Sequence, residues 1–164
     1  MNITIITRGI YFFCFLICVI SLAASAYLQY VVGLEPCSMC IIQRWCIIAL
    51  TVWLIIALVH RTQRKGQIIY GFGVLLFSGL GAFTAARQVW LQHLPKELQP
   101  ECGPGFNYLM ENFPLTEALS YMFAGDGNCA VVDWTFLGQS LATWSLVLFI
   151  FFVVMGLIAV GRAK

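Results

Sequence analysis

Four long apolar stretches divide the chain, with polar residues confined to its ends and to the connections. They run approximately over 10–32, 41–59, 68–90 and 141–160. A helix needs about 20 apolar residues to cross a hydrocarbon core of roughly 30 Å, and each stretch reaches or nearly reaches that length. All five prolines, at positions 36, 95, 100, 104 and 114, fall outside them, so the backbone inside can stay hydrogen-bonded without repair. The pattern predicts an all-α integral membrane protein: a four-transmembrane-helix bundle forming one domain over 1–164, with no fixed-period repeat and no low-complexity segment. The connection 60–67 is short, which makes the second and third helices antiparallel neighbours.

The connection 91–138 is of another kind: long, acidic, and rich in Gly and Pro around its cysteines. Between 114 and 123 it sets Leu115, Leu119, Met122 and Phe123 at helical spacing, with Glu117 and Ser120 between them. That spacing predicts a short amphipathic helix along the membrane surface with its apolar side in the lipid boundary. The alternative is a helix packed on other protein.

Of 164 residues, 61% are hydrophobic and only 10% charged, and the mean hydropathy is +0.89. Such a composition excludes a soluble domain of this size. Charge then orients the bundle. If the stretches alternate, Arg8, then Arg61, Arg64 and Lys65, then Arg162 and Lys164 share one side, and an excess of basic residues marks the cytoplasmic side. All seven acidic residues, Glu35, Glu97, Glu101, Glu111, Glu117, Asp126 and Asp133, fall on the other. Both termini are expected in the cytoplasm and the long loop outside, in the bacterial case in the oxidising periplasm. A cleaved signal peptide competes for the first stretch, because Arg8 precedes an apolar run ending in Ala24-Ser25-Ala26. Its apolar core exceeds the usual length, and a retained helix is expected. Trp45, Trp90, Trp134 and Trp144 are expected near the outer boundary and Trp53 deeper. The lipid bilayer is one expected partner; nucleic acid is not.

Chemistry enters with the seven cysteines. Cys37-Ser38-Met39-Cys40 opens the second stretch, its cysteines close enough to meet on one face of a first helical turn. Pro36 suits a first helical position, where free backbone N–H groups favour a thiolate. Reversible redox chemistry competes here with a structural disulfide and with half of a zinc site, for which Cys102, Cys129 and His93 are the other candidate ligands. The helical location and the lack of a second closely spaced ligand pair count against a metal. Arg44 lies one turn beyond Cys40 and two beyond Cys37. An arginine there is costly unless it snorkels outward or meets an acceptor, such as a Cys40 thiolate or the carbonyl oxygen of an electron acceptor. Cys102, in Pro100-Glu101-Cys102-Gly103-Pro104, and Cys129, in Gly125-Asp126-Gly127-Asn128-Cys129, both occupy turn-forming surroundings. A bridge between them would staple the loop or exchange with an external dithiol protein. Cys14, Cys18 and Cys46 read as apolar packing residues.

The order of these motifs resembles the DsbB family of membrane disulfide-generating oxidoreductases. The resemblance runs from about Arg8 to the last helix. It is carried by Glu35-Pro36-Cys37-Ser38-Met39-Cys40-Ile41-Ile42-Gln43-Arg44, by Arg87-Gln88-Val89-Trp90-Leu91-Gln92, by Cys102, by Gly127-Asn128-Cys129 and by Trp134-Thr135-Phe136-Leu137-Gly138. It implies a bacterial inner-membrane enzyme that reoxidises a DsbA-like thioredoxin-fold protein and passes two electrons to a quinone, ubiquinone or menaquinone. Carried onto matching residues, it implies that Cys102 forms the mixed disulfide with the donor, releasing Cys129. Cys129 then pairs transiently with Cys37 and frees Cys40 toward the quinone, whose reduction restores the bond between Cys37 and Cys40. Arg44 matches the quinone-site arginine, and Gln88, Leu141 and Trp144 match positions around the same pocket. No metal is implied.

Two residues depart from the family pattern. Gln43 stands where a better-known member has Glu, and Gln88 where several relatives have His. An amide can donate a hydrogen bond to a quinone oxygen, but it carries no titratable proton. The resemblance to quinone reductases of the vitamin K epoxide type is weaker, since those place the membrane CxxC late in the helix order and here it opens the second helix.

Overall fold

The computed structural model describes residues 3–60, 64–101, 106–132 and 134–163. Helices α1 (Ile3–Tyr30), α2 (Ser38–Val59), α3 (Arg64–Gln92) and α7 (Leu141–Ala163) are the long ones. Each contains a segment long and apolar enough to cross a membrane: Ile6–Tyr30, Ser38–Val59, Gly66–Gln92 and Leu141–Arg162. Phe12, Ile20, Phe72, Leu76, Val147 and Leu157 point out of the bundle, a coat that only lipid covers without penalty. This is a multi-pass membrane protein.

Helix boundaries depart from the apolar pattern by a few residues, because the pattern marks where lipid begins and hydrogen bonds mark where helix ends. Helix α1 stops at Tyr30, two residues short of the expected 32; beyond it Gly33 takes a left-handed φ of 79° and the Leu34 N–H reaches the Leu28 carbonyl at 3.0 Å. Helices α1 and α3 both begin before their apolar stretches. Near the 60–67 connection, Arg8 Nη2 donates to the Leu58 carbonyl at 3.0 Å, satisfying a free group in the last turn of α2. Trp53 packs against Tyr70 and donates to its backbone carbonyl at 3.1 Å.

Helix α3 is the spine. It packs most extensively on α7 and next on α2; α1 lies against α2 and touches α7 least. Small residues allow the close approaches, as is usual where lipid supplies no hydrophobic drive between helices. A Cβ at Gly81 would collide with the Phe149 ring of α7, and one at Gly73 with the Trp53 indole of α2. Phe149, Phe152, Leu50, Leu54 and Val74 fill the interior, and Cys14, Cys18 and Cys46 are buried with them, as packing residues.

The loop holds more structure than one amphipathic helix: a 3₁₀ turn (Lys96–Leu98), α4 (Phe106–Asn112), α5 (Leu115–Ala124), α6 (Gly127–Ala130) and a hairpin of β1 (Thr135–Phe136) with β2 (Gln139–Ser140). Helix α5 occupies the segment expected, but the expected apolar face is divided. Met122 is buried with Ala118 in the bundle core and Phe123 packs at its edge, whereas Leu115 and Leu119 are exposed. The helix is therefore docked on protein through Ala118 and Met122, and only the remainder of its apolar surface is free for the lipid boundary. Alternation along α5 could not distinguish the two, since small Ala118 does not register as apolar patterning.

Replacing Gly81 by Val is expected to lower stability by about 1–3 kcal/mol through overpacking against α7. Gly79→Val, where an added Cβ meets nothing within 4 Å, is the control. Thermal unfolding in detergent distinguishes them; equal losses would mean that the α3–α7 seam tolerates the added bulk.

Candidate active site at the N-terminus of the second helix

Helix α2 begins two residues later than a Pro36 in the first helical position would have it. Cys37 is its N-cap, with φ −66° and ψ 168°, and the Ile41 N–H bonds back to the Cys37 carbonyl at 3.1 Å. Ser38, not Pro36, takes the first helical position, because Cys37 keeps an extended backbone and holds Pro36 outside the turn. Within that first turn the Cys37 and Cys40 sulfurs lie 3.0 Å apart, on one face as the spacing predicts.

A third sulfur joins them from the loop. Cys129 is fully buried, and its Sγ lies 3.4 Å from the Ser38 hydroxyl. Several local features bring it there. Arg87 on α3 donates through Nε and Nη2 to the Ala124 carbonyl, at 3.1 and 2.9 Å, closing the C-terminal end of α5. Gly125 then turns the chain with φ 77°, and a Cβ there would stand 2.7 Å from both Leu91 Cδ1 and Met39 Cε. Asp126 caps the short helix α6, its Oδ1 accepting the Cys129 N–H at 3.2 Å. Beneath, Met39, Leu91, Cys129 and Ala130 form a small apolar cluster separate from the main core. Cys102 lies outside the described residues.

Charge is divided unequally among the sulfurs. Hydrogen bonding to Cys129, then to Cys40, together with burial, pushes the Cys37 thiol well above the ordinary range. Cys129 moves the other way: the hydrogen bond from Cys37 lowers it, opposed by burial and helped by the Ser38 hydroxyl and by backbone groups of Met39 and Asp126. The backbone of Met39, in the first turn of α2, thus favours a thiolate, and the sulfur it meets is Cys129 of the loop.

The other expected site residues separate into two places. Gln88 on α3 faces the CxxC, its Nε2 3.3 Å from Cys37 Sγ and 3.3 Å from Cys40 Sγ. Arg44 is half-buried one turn below Cys40, with its guanidinium donating to the Gln29 side chain of α1, so it is held within the bundle. Trp144 donates to the Phe136 carbonyl at 3.0 Å and lines an apolar groove of about 450 Å³ between α1 and α7, with Phe13, Ile17, Val147, Leu148 and Phe151. Leu141 is half-buried at the start of α7 and is not among the residues lining that groove. Three contributors escaped sequence reasoning: Ser38 as a donor to sulfur, Arg87 as the clasp on α5, and Gln43, whose Nε2 donates to Gln88 Oε1 at 2.7 Å. A buried amide inside a membrane span requires a partner, and that rule alone could have paired Gln43 with another intramembrane amide.

Comparison with known proteins bears on the whole chain. The family described as "Disulfide bond formation protein DsbB" matches residues 7–159. The chain belongs to the DsbB family. Among its relatives, "Disulfide bond formation protein B" of Nitrosococcus oceani is 39% identical over 155 residues, covering 94% of this chain and 92% of that protein. The protein of the same name from Polaromonas naphthalenivorans is 49% identical over 143 residues, covering 87% and 82%, and that of Azoarcus sp. 47% identical over 143 residues, covering 87% and 85%. No solved structure gives a significant match. As a DsbB-family protein the chain is a disulfide-generating membrane oxidoreductase.

Because its neighbours hold Cys129 below the ordinary thiol range, it remains a thiolate to lower pH than a free cysteine, whose value is near 8.5. Ser38→Ala removes one donor and raises it. Site-resolved alkylation of Cys129 in the reduced protein is expected to slow by about threefold to tenfold at neutral pH and to match the parent above the ordinary thiol range. A constant ratio across pH would assign the effect to access instead.

Proposed function

We propose that this DsbB-family chain, a single membrane domain over 1–164, reoxidises a DsbA-like thioredoxin-fold dithiol protein in the periplasm. Two electrons pass through Cys102 and Cys129, then through Cys37 and Cys40, to a membrane quinone. The observation that carries this reading is the approach of Cys129, a loop residue, to the N-terminal turn that holds both CxxC sulfurs. A structural bridge in the loop would have no need to bury one of its cysteines against a second cysteine pair.

Thiol–disulfide exchange accounts for each bond. A donor thiolate attacks Cys102 of the loop disulfide, and Cys129 leaves as a thiolate stabilised by Ser38 and the α2 backbone. Cys129 then attacks Cys37, breaking its bond to Cys40 and releasing Cys40 as a thiolate. The donor's second thiol resolves the mixed disulfide and leaves oxidised. Cys102 attacks Cys129, restoring the loop bond and returning Cys37 as a thiol, so that the CxxC now holds the two electrons.

A bound quinone supplies a lipid-soluble acceptor of two electrons and two protons. The residues fit such a group: Arg44 and Gln88 offer donors to carbonyl oxygens beside the sulfurs, and the apolar groove beginning at Trp144, with Leu141 at the head of the same helix, suits an isoprenoid tail. Arg44 also places positive charge near Cys40. The charge segregation supports insertion in the bacterial inner membrane with both termini cytoplasmic and the loop periplasmic.

The test is oxidation of a reduced thioredoxin-fold dithiol protein by the purified chain in nanodiscs supplied with ubiquinone or menaquinone. Cys37→Ser and Cys40→Ser are each expected to abolish quinone-dependent turnover, and Cys102→Ser to abolish the adduct with a donor lacking its resolving cysteine. Full anaerobic turnover by either CxxC variant would overturn the route. Arg44→Ala is expected to raise the quinone KM about tenfold, on the scale of one lost charge-assisted hydrogen bond, while leaving exchange between donor and loop intact. Equal losses in the two assays would reduce Arg44 to a structural tie between α1 and α2.

A further inference from the structure

The exchange of sulfur bonds leaves unexplained why two amides are buried in membrane-spanning helices beside the CxxC. Gln43 and Gln88 are each only 4% exposed. Gln43 Nε2 donates to Gln88 Oε1 at 2.7 Å, and Gln88 Nε2 lies 3.3 Å from each CxxC sulfur. An amide has two unlike ends: its nitrogen donates and its oxygen accepts. A sulfur that carries charge requires the donor end. Gln88 Oε1 also stands 3.8 Å from Cys40 Sγ, and the Gln43 N–H₂ group, much nearer at 2.7 Å, occupies that oxygen and so keeps the donor end of Gln88 on the sulfurs.

We propose that Gln43 and Gln88 form a polarised amide relay that makes the CxxC a stronger oxidant, with Gln88 as the catalytic donor to sulfur and Gln43 as the positioning residue that fixes its orientation. This rests on the reading of Cys37 and Cys40 as a reversible redox pair. Each hydrogen bond in the chain strengthens the next, since they all point the same way in a medium of low dielectric. Stabilising a thiolate stabilises the dithiol relative to the disulfide, and a disulfide whose reduced form is stabilised oxidises more strongly. The relay does this without a net charge, whose burial within a membrane span is costly. Its placement between the sulfurs also serves both halves of the exchange: the same N–H₂ group meets Cys40 when Cys129 takes Cys37, and Cys37 when the loop bond is restored. No atom or electron beyond those of the exchange is involved.

The experiment is a redox titration of the full chain in quinone-free nanodiscs against dithiothreitol buffers, with the Cys37–Cys40 bond quantified by acid quench and mass spectrometry. Gln88→Met and Gln43→Met should each shift the equilibrium constant toward the disulfide by roughly tenfold, the scale of a hydrogen bond to a charged group. The double variant should shift it no further than Gln88→Met alone, because Gln43 acts through Gln88. Gln43→Glu, nearly isosteric, keeps the volume but can only accept when ionised. It draws the Gln88 N–H₂ group away from the sulfurs and should shift the constant at least as far, with a thermal midpoint close to the parent's to show that the fold persists. A parental constant in both Gln43 variants, or additive shifts in the double variant, would overturn the relay. The titration needs neither quinone nor donor protein, so a chain showing the shifts but no quinone-linked turnover would leave the relay standing and reject the functional reading alone.

Discussion

The first turn of α2 has backbone N–H groups that no helical carbonyl can accept, and it sits where the chain enters the membrane. Everything at the site depends on satisfying them. Cys37 keeps an extended backbone as N-cap, Ser38 and Met39 present a hydroxyl and an N–H outward, and the Cys129 sulfur accepts both. In water such groups would bond to solvent at little cost. Under a buried loop they need a partner of their own, and a sulfur inclined to carry negative charge answers the requirement while remaining reactive.

That arrangement is only as durable as the docking of the loop. Met39 lies at the junction, fully buried between Leu91 of α3 and the segment carrying Cys129. Gly125 allows the chain to pass within contact distance of Met39 and Leu91, and Arg87 secures the preceding carbonyl from α3. The apolar contacts set the position, and the arginine supplies direction at the helix terminus. Because α3 carries both Arg87 and Gln88, one turn of one helix holds the loop with one residue and the CxxC with the next. Helix α3 is also the element most tightly packed in the bundle, so the fixed side of the site rests on the least deformable part of the fold.

Features set by local sequence were legible in advance. The four spans followed from apolar length, the CxxC face from helical spacing, and the burial of Cys14, Cys18 and Cys46 from their apolar neighbours. Features set by tertiary contact were not. Helix α5 was recognisable as a helix, but its docking through Ala118 and Met122 depends on the shape of the bundle it meets. Gln88 was matched to a quinone neighbourhood by motif, whereas its contact with both sulfurs needs α2 and α3 in register. Ser38 was simply the second residue of a motif until Cys129 arrived beside it. Two amides 45 positions apart carry no local sign of pairing; only the cost of an unpaired amide in lipid brings them together.

The bundle closes unevenly, and this bears on how the proposed lipid-soluble acceptor would approach the site. Glycines let α3 lie close against α2 and α7, which seals the interior on that side. Helices α1 and α7 have no such contact; Phe13, Ile17, Trp144 and Phe151 hold them apart around an apolar groove. The hydrogen bond between Arg44 of α2 and Gln29 of α1 ties the looser helix near the level of the sulfurs, while the groove stays open along the lipid face. The loop segment carrying Cys129 thus covers the sulfurs on one side, and the seam between α1 and α7 leaves an apolar opening on another. A bundle sealed equally on all sides would satisfy its backbone as well, but it would give a quinone tail nowhere to lie. Folding alone does not call for such a seam, whereas the quinone proposed as acceptor would use it.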